Sequence, residues 1–234
     1  MIKTIIQLTR LAIRNIQRNI RRTLLSGSTI AIAAFVVCVM FAFEYGMIQD
    51  MENNIRNHVT GDIRVRNELF TLHERVQPLQ YHIDETPLII SQIESFDFVE
   101  KALPSISTGV MIYRNEETAN SRVIGLDFQQ TNFFNGRNNW IIDGSIPEAD
   151  LSKVLITEGF AQKTGLTTGD KFTFIVKTAA GGTNGITAQI SGIIHIGDSD
   201  FNGNTFFIDW KTLSSLLRMN GNALEILITT KEGI

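Results

Sequence analysis

The feature that most constrains this chain is a run of twenty residues without a charge, Leu24 to Phe43, reading LLSGSTIAIAAFVVCVMFAF. A bilayer core of roughly 30 Å is crossed by about 20 residues of helix, so the run is long enough to span it. Arg10, Arg14, Arg18, Arg21 and Arg22 precede the run, and Glu44, Asp50 and Glu52 follow it. The positive-inside rule then puts the N-terminus in the cytoplasm and the chain beyond about residue 48 outside. Residues 1–43 hold six basic residues and no acid; the whole chain carries a net charge of −3, so the remainder carries −9. Such a split matches two environments for one chain. A cleavable signal peptide would have a shorter apolar core and an A-x-A-like site, whereas the run continues into AFEYGMIQDM. Cys38 follows Val36-Val37 and not the small residue of a lipoprotein signal. The reading is a permanent anchor.

Three segments follow from the periodicity. Residues 1–22 read as an amphipathic helix, with Ile5, Leu8, Ala12, Ile16 and Ile20 on one side and Arg10, Arg14, Arg18 and Arg22 on another. A basic amphipathic helix beside a membrane lies in the headgroup plane, with its arginines on anionic phosphates. Residues 23–59 read as a transmembrane and stalk helix. Within it Gly27, Ala31 and Ala34 share a face that admits close approach of another helix. Met47 or Ile48, Met51, Ile55 and Val59 keep the helical period before Gly61, which reads as a C-cap. A helix of over thirty residues reaches on the order of 50 Å.

Residues 60–234 read as an α+β extracytoplasmic domain of two subdomains, one near 60–125 and one near 150–230. Asp62 to Arg66 alternates as a half-buried strand does, and Thr86-Pro87-Leu88 reads as an N-cap with proline in the first turn. Strands are expected at 99–103, 107–114 and 120–126, followed by a loop-rich stretch over 127–150. A strand at Val154–Ile156 runs into a helix from Thr157 to Lys163 and a turn at Thr168-Gly169-Asp170. Strands near 171–177 and 186–195 flank the hairpin tip TAAGGTNG. A strand at 205–208, a helix capped by Asp209 and a strand from Leu224 to Thr230 close the chain. Cys38 is the sole cysteine, so no disulfide forms within the chain, and the four histidines stand in no metal-ligand spacing.

No catalytic motif is present. GLTTGDK has Asp170 where a phosphate loop needs glycine, and there is no G-x-S-x-G or H-E-x-x-H. Nothing points to a cofactor or to nucleic acid. Residues 198–209, DSDFNGNTFFID, place Asp198, Asp200, Asn202, Gly203 and Asp209 at calcium-loop spacing. Against that, an aspartate stands where the bidentate glutamate belongs, Phe206-Phe207-Ile208 reads as a strand, and Asp, Asn and Gly also suit a tight turn. The polar turn is the preferred reading.

RLAIRNIQRNIRRTLLSGSTIAIAA resembles the elbow helix and first span of MacB/FtsX-type ABC transporter permeases, including the lipoprotein-releasing LolC and LolE. TGDIRVRN resembles their junction of stalk and first strand; VIGLDFQQ and WIIDGSIPEADLSKVLITEGFAQKTGLTTGDKFTFI are similar to the centre of their periplasmic domain. ISGIIHIG with FFIDWKTLSSLL resembles its closing segment, and the likeness runs over nearly the whole chain in order. It implies a permease in the bacterial inner membrane, paired with a second permease subunit and a cytoplasmic ABC ATPase. ATP-driven closure inside is then passed along the stalk helices to the external domains. A periplasmic carrier or lipoprotein is a further implied partner, although TAAGGTNG lacks the apolar, proline-bearing loop with which LolC engages its carrier. Met1 directly precedes the elbow, so the ATPase is expected as a separate subunit, and further spans are expected after Ile234. The rival reading is an anchored sensor, since a basic-flanked span, a stalk and an α+β domain also describe signalling ectodomains.

A topology reporter fused after Ile234 is expected to be active outside the cytoplasm. Activity confined to the cytoplasm would overturn the orientation.

Overall fold

The computed structural model describes residues 6, 7, 9, 10, 14, 18–55, 61–114, 117–129, 141–147, 152–196 and 202–231. The chain divides into two compact units, Met1–Asn54 and Ile55–Ile234.

The first unit is dominated by helix α1, Ile20–Ile55, 36 residues long. Its portion Ile20–Ile48 is apolar and long enough to cross a membrane. Helix is the conformation such a run must take, because lipid offers no partner for a backbone N–H or C=O. At about 1.5 Å per residue α1 is about 54 Å long, well beyond a hydrocarbon core of roughly 30 Å. It starts three residues ahead of the Thr23 expected from sequence. Asn19 is a turn residue whose carbonyl accepts the Thr23 N–H at 3.0 Å and the Thr23 hydroxyl at 3.2 Å. Before it, Ile6, Gln7, Thr9, Arg10, Arg14 and Arg18 are helical and exposed. Ile5, Leu8, Ala12 and Ile16, and the expected stalk end at Val59, lie outside the described residues.

The second unit carries β1 (Ile63–Arg66), α2 (Glu68–Leu72), α3 (Thr86–Glu94), β2 (Val99–Arg114), β3 (Glu117–Leu126) and β4 (Ile141–Gly144). It continues with β5 (Lys153–Thr157), α4 (Glu158–Thr164), β6 (Lys171–Lys177), β7 (Thr183–Ile194), β8 (Thr205–Asp209), α5 (Trp210–Leu216) and β9 (Glu225–Thr230). The pairing runs β2–β3–β8–β5–β7–β6 and returns to β2, so six strands close into a barrel, with β4 added at β7. β3–β8 and β5–β7 are parallel and the other barrel pairs antiparallel. β1 and β9 extend the sheet from the first half of β2, where Val99 to Ser105 pair with β9.

Phenylalanines fill the barrel. Phe206 lies 5.0 Å from Phe174, 5.3 Å from Phe172 and 5.7 Å from Phe160 between ring centroids, edge-on or tilted as aromatic quadrupoles prefer. Alternation along β6 sends Phe172, Phe174 and Val176 inward. Gly125 lets α5 approach: a Cβ there would stand 3.1 Å from the Trp210 Cα. On the outer wall Leu126, Leu155, Ile194 and Phe207 form a second apolar layer, which is why β5 and β8 are buried on both faces. A third core sets Ile89, Ile90 and Ile93 of α3 against Val99, Ala102, Ile226 and Ile228.

The α+β class stands, but its two parts are not consecutive in the chain. β2 belongs to both, and β9 returns to the sheet of β1. The expected break between 103 and 107 is absent because β2 is one strand of 16 residues. Pro104 is accommodated where β9, through Ile226, is its strand partner and the β3 ladder has not yet begun. Thr86 is not the cap of α3; Glu85 holds that position in a left-handed conformation. The Thr86 hydroxyl is instead buried, donating to Ile83 O at 2.7 Å and accepting from Ala223 N at 2.9 Å. Within the stretch read as loop, Ile141–Gly144 pairs with β7.

Phe206→Ala is expected to cost the extracytoplasmic unit about 3–5 kcal/mol, read as a lower urea midpoint, because the closed barrel cannot collapse around the void. Phe98→Ala, at 39% exposure, serves as the control and should cost under about 1 kcal/mol.

Candidate functional site

The anchor residues all lie on the surface. Arg10, Arg14, Arg18, Arg21 and Arg22 are exposed, as are Gly27, Ala31 and Ala34 on α1. Gly27, Thr23, Ser28 and Ala31 border a shallow recess, and a Cβ at Gly27 would meet no other atom within 4 Å. The hydroxyls of Ser28 and Thr29 both donate to Leu25 O, at 3.0 and 2.8 Å. These polar groups are thus satisfied within the helix and do not oppose insertion in lipid.

The calcium spacing is only partly within view. Asp198 and Asp200 lie outside the described residues. Asp209 caps α5, its Oδ2 accepting from Thr212 N at 3.1 Å. Asn202 is drawn to α4, where its carbonyl accepts the Thr157 hydroxyl at 2.6 Å. Asp209 and Asn202 thus have structural work of their own, and no group of three metal-ligating side chains exists among the described residues. The histidines are dispersed: His195 pairs with Glu158 at 2.6 Å, His82 with Asp84 at 3.1 Å, and His73 meets Leu69 O at 3.0 Å. The TAAGGTNG tip is tied to the end of α5, with Ala179 N donating to Leu217 O at 2.9 Å and the Asn184 amide to Leu216 O at 3.1 Å.

Sequence reasoning missed the polar cleft on the outer face of β1, β9, β2 and β3. Its centre is Glu225, whose side chain is 9% exposed. Arg66 Nε donates to Glu225 Oε2 at 2.9 Å, and Arg64 Nε stands 3.4 Å from the same oxygen. Arg66 Nη1 reaches Glu74 at 2.9 Å, and its guanidinium lies 5.8 Å from the Phe70 ring centroid. Burial opposes the Arg66 charge, but Glu225 and then Glu74 outweigh it, and the pKa moves above the ordinary arginine value. Register explains the grouping: Arg66 is opposite Glu225 on β9, which is opposite Ser105 on β2. The alternation of Arg64 and Arg66 was a legible signal for a strand with a charged face. Its partner lies 159 residues away, beyond the reach of any local pattern.

The sequence decides the family. Residues 23–234 match the MacB-like periplasmic core domain. The chain belongs to that family. It comprises the extracytoplasmic domain of a MacB/FtsX-type ABC transporter permease together with a helix able to anchor it in the membrane. The periplasmic region of MacB from Actinobacillus actinomycetemcomitans has a similar fold, with a TM-score of 0.51 at 11% identity over 77% of this chain and 79% of that one. The extracellular domain of the ABC-type transporter YknZ from Gram-positive bacteria matches with a TM-score of 0.46 at 15% identity, over 63% and 74%. Among curated proteins none matches.

Removing the centre of the cleft network takes from Arg66 the less exposed of its two carboxylate partners. Glu225→Ala is expected to lower stability by about 3 kcal/mol in chemical unfolding, because the partly buried Arg66 is left with only the exposed Glu74. Glu74, with its side chain 58% exposed, should matter far less, and Glu74→Ala should cost under about 1 kcal/mol.

Proposed function

We propose that this chain is the permease subunit through which a separate cytoplasmic ATPase moves an extracytoplasmic domain, in export or in lipoprotein release. The observation that carries the reading is α1, unbroken over Ile20–Ile55 and longer than a membrane requires. A continuous helix transmits displacement along its axis, because each turn is bonded to the next and bending has a cost. Residues 1–22 act as an elbow on the cytoplasmic face of the inner membrane, with Arg10, Arg14, Arg18, Arg21 and Arg22 on lipid phosphates. Residues 23–59 form the span and stalk, and residues 60–234 the periplasmic domain. Gly27, Ala31 and Ala34 face a neighbouring helix of the complex, which holds a second permease subunit. The exposed recess at Gly27 supports that assignment. The tethered, proline-free TAAGGTNG tip makes a LolC-like grip on a periplasmic carrier the less favoured variant of the reading.

Inserting Gly-Gly-Ser after Asn53 breaks the helix at about 1 kcal/mol per glycine plus lost cooperativity, while span and domain retain their own contacts. In the reconstituted complex, ATP hydrolysis is expected to persist while transport falls to background. Undiminished transport would show that the helix is only a tether.

A further inference from the structure

The outer wall of the barrel carries a cluster of exposed apolar side chains beside the hairpin tip. Alternation along β2 turns Val110 and Ile112 into the core and Met111 and Tyr113 outward, where they are 41% and 43% exposed. Met111 stands opposite Ile175 of β6, and Val76, beyond α2, is 79% exposed. These residues border one open groove of about 840 Å³, between the segment 76–80 and the TAAGGTNG tip. Its floor includes Gly109, where a Cβ would meet no other atom within 4 Å. Apolar side chains grouped on a surface in this way mark a site of association, and methionine and tyrosine are favoured at such sites.

The polar groups of the groove define what it takes. Among the described residues that border it, Lys177 is the only one with a charge, and its exposed ammonium is in no ion pair or hydrogen bond. A lone cation beside apolar side chains is complemented by a carboxylate, while a basic partner meets no acid here. Gln80 and Asn120 add two exposed side-chain amides, neither of them bonded to another described residue. Each such amide holds an acceptor and a pair of donors, the complement of a peptide group. An acyl chain laid over them would take both amides from water without replacing their hydrogen bonds, which costs free energy; the main chain of an extended peptide replaces them. We propose that this groove binds an extended peptide segment in which an aspartate or glutamate stands among large apolar residues. Its carboxylate lies on Lys177, its apolar side chains on Val76, Met111 and Tyr113, and its main chain on Gln80 and Asn120.

Random nonapeptides displayed on phage are the probe. They are depleted on empty lipid nanodiscs and then selected on the full chain in nanodiscs. The enriched peptides are expected to share an Asp or Glu flanked by large apolar residues. A fluorescein-labelled copy of the most enriched one is expected to bind at least tenfold more weakly to Lys177→Glu and to Gly109→Leu. Its affinity should be unchanged for Lys171→Glu, on the same strand but outside the groove. Gly109→Leu fills the groove from a position with space for the new Cβ, so an unaltered melting temperature separates a blocked groove from a lost fold. If that variant melts early, Lys177→Glu, at an exposed side chain, decides alone. No enrichment over empty nanodiscs overturns the proposal. So does enrichment of basic or wholly apolar peptides, or equal affinity in the folded groove variants. Displacement by octanoate as effective as by unlabelled peptide would assign the groove to an acyl chain and overturn it as well.

Discussion

Strand β2 is the constraint on which the extracytoplasmic unit depends. Its first half, from Val99 to Ser105, pairs with β9, and its second half, from Ile106 to Arg114, pairs with β3. Near its end Met111 to Tyr113 also pair with β6, which closes the barrel. Three strand neighbours therefore meet along one segment of 16 residues, and a shift of register by one residue would turn Ile106, Val110 and Ile112 out of the core. The phenylalanine cluster makes that register costly to lose, since Phe174 and Phe206 are fully buried and in contact only while β6 and β8 face the same interior. Pro104 lies where the pairing passes from one neighbour to another, the place along β2 where a missing N–H is most easily tolerated.

The polar cleft is a consequence of the same strand. Because β2 leaves β9 to join β3, the face that carries Arg64, Arg66 and Glu225 continues onto Arg122, Ile124 and Leu126 of β3. Arg64 and Arg66 converge on Glu225 there, and that convergence makes the buried carboxylate tolerable. A buried ion pair of this kind is weak evidence of net stabilisation, since an apolar triad of equal volume would often serve as well. What it does supply is polarity next to a core.

Much of the fold was legible where the signal is local. The uncharged run announced α1, the alternation KFTFIVK announced β6, and Asp209 before an apolar turn announced the cap of α5. The GLTTGDK turn was likewise readable: Gly169 has φ +93° and the Asp170 carboxylate accepts from Thr167 N at 2.9 Å. Other features were hidden for physical reasons. The continuity of β2 through Pro104 was one of them, because from sequence alone the number of neighbours at that position is invisible. Thr86 read as a cap because capping threonines and buried clasping threonines look alike until Ala223, 137 residues away, is seen to donate to it. Ile141–Gly144 read as loop because Ile-Ile-Asp-Gly, unlike the Ile-Arg-Val-Arg of β1, does not alternate.

The amino-acid sequence by itself determined the division of the chain into an apolar anchor and an acidic outer domain, and the identity and order of most elements of that domain. Those properties depend on residues within a turn or two of one another: charge depletion, alternation, caps and glycine turns. The tertiary structure alone decided which strands are neighbours, that six of them close into a barrel, that β9 returns to β1, and that Arg64, Arg66, Glu225, Ser105 and Ser107 line one cleft. Each of those outcomes is a long-range contact, chosen by the shape in which the phenylalanines pack without voids, and no short segment of sequence contains that shape.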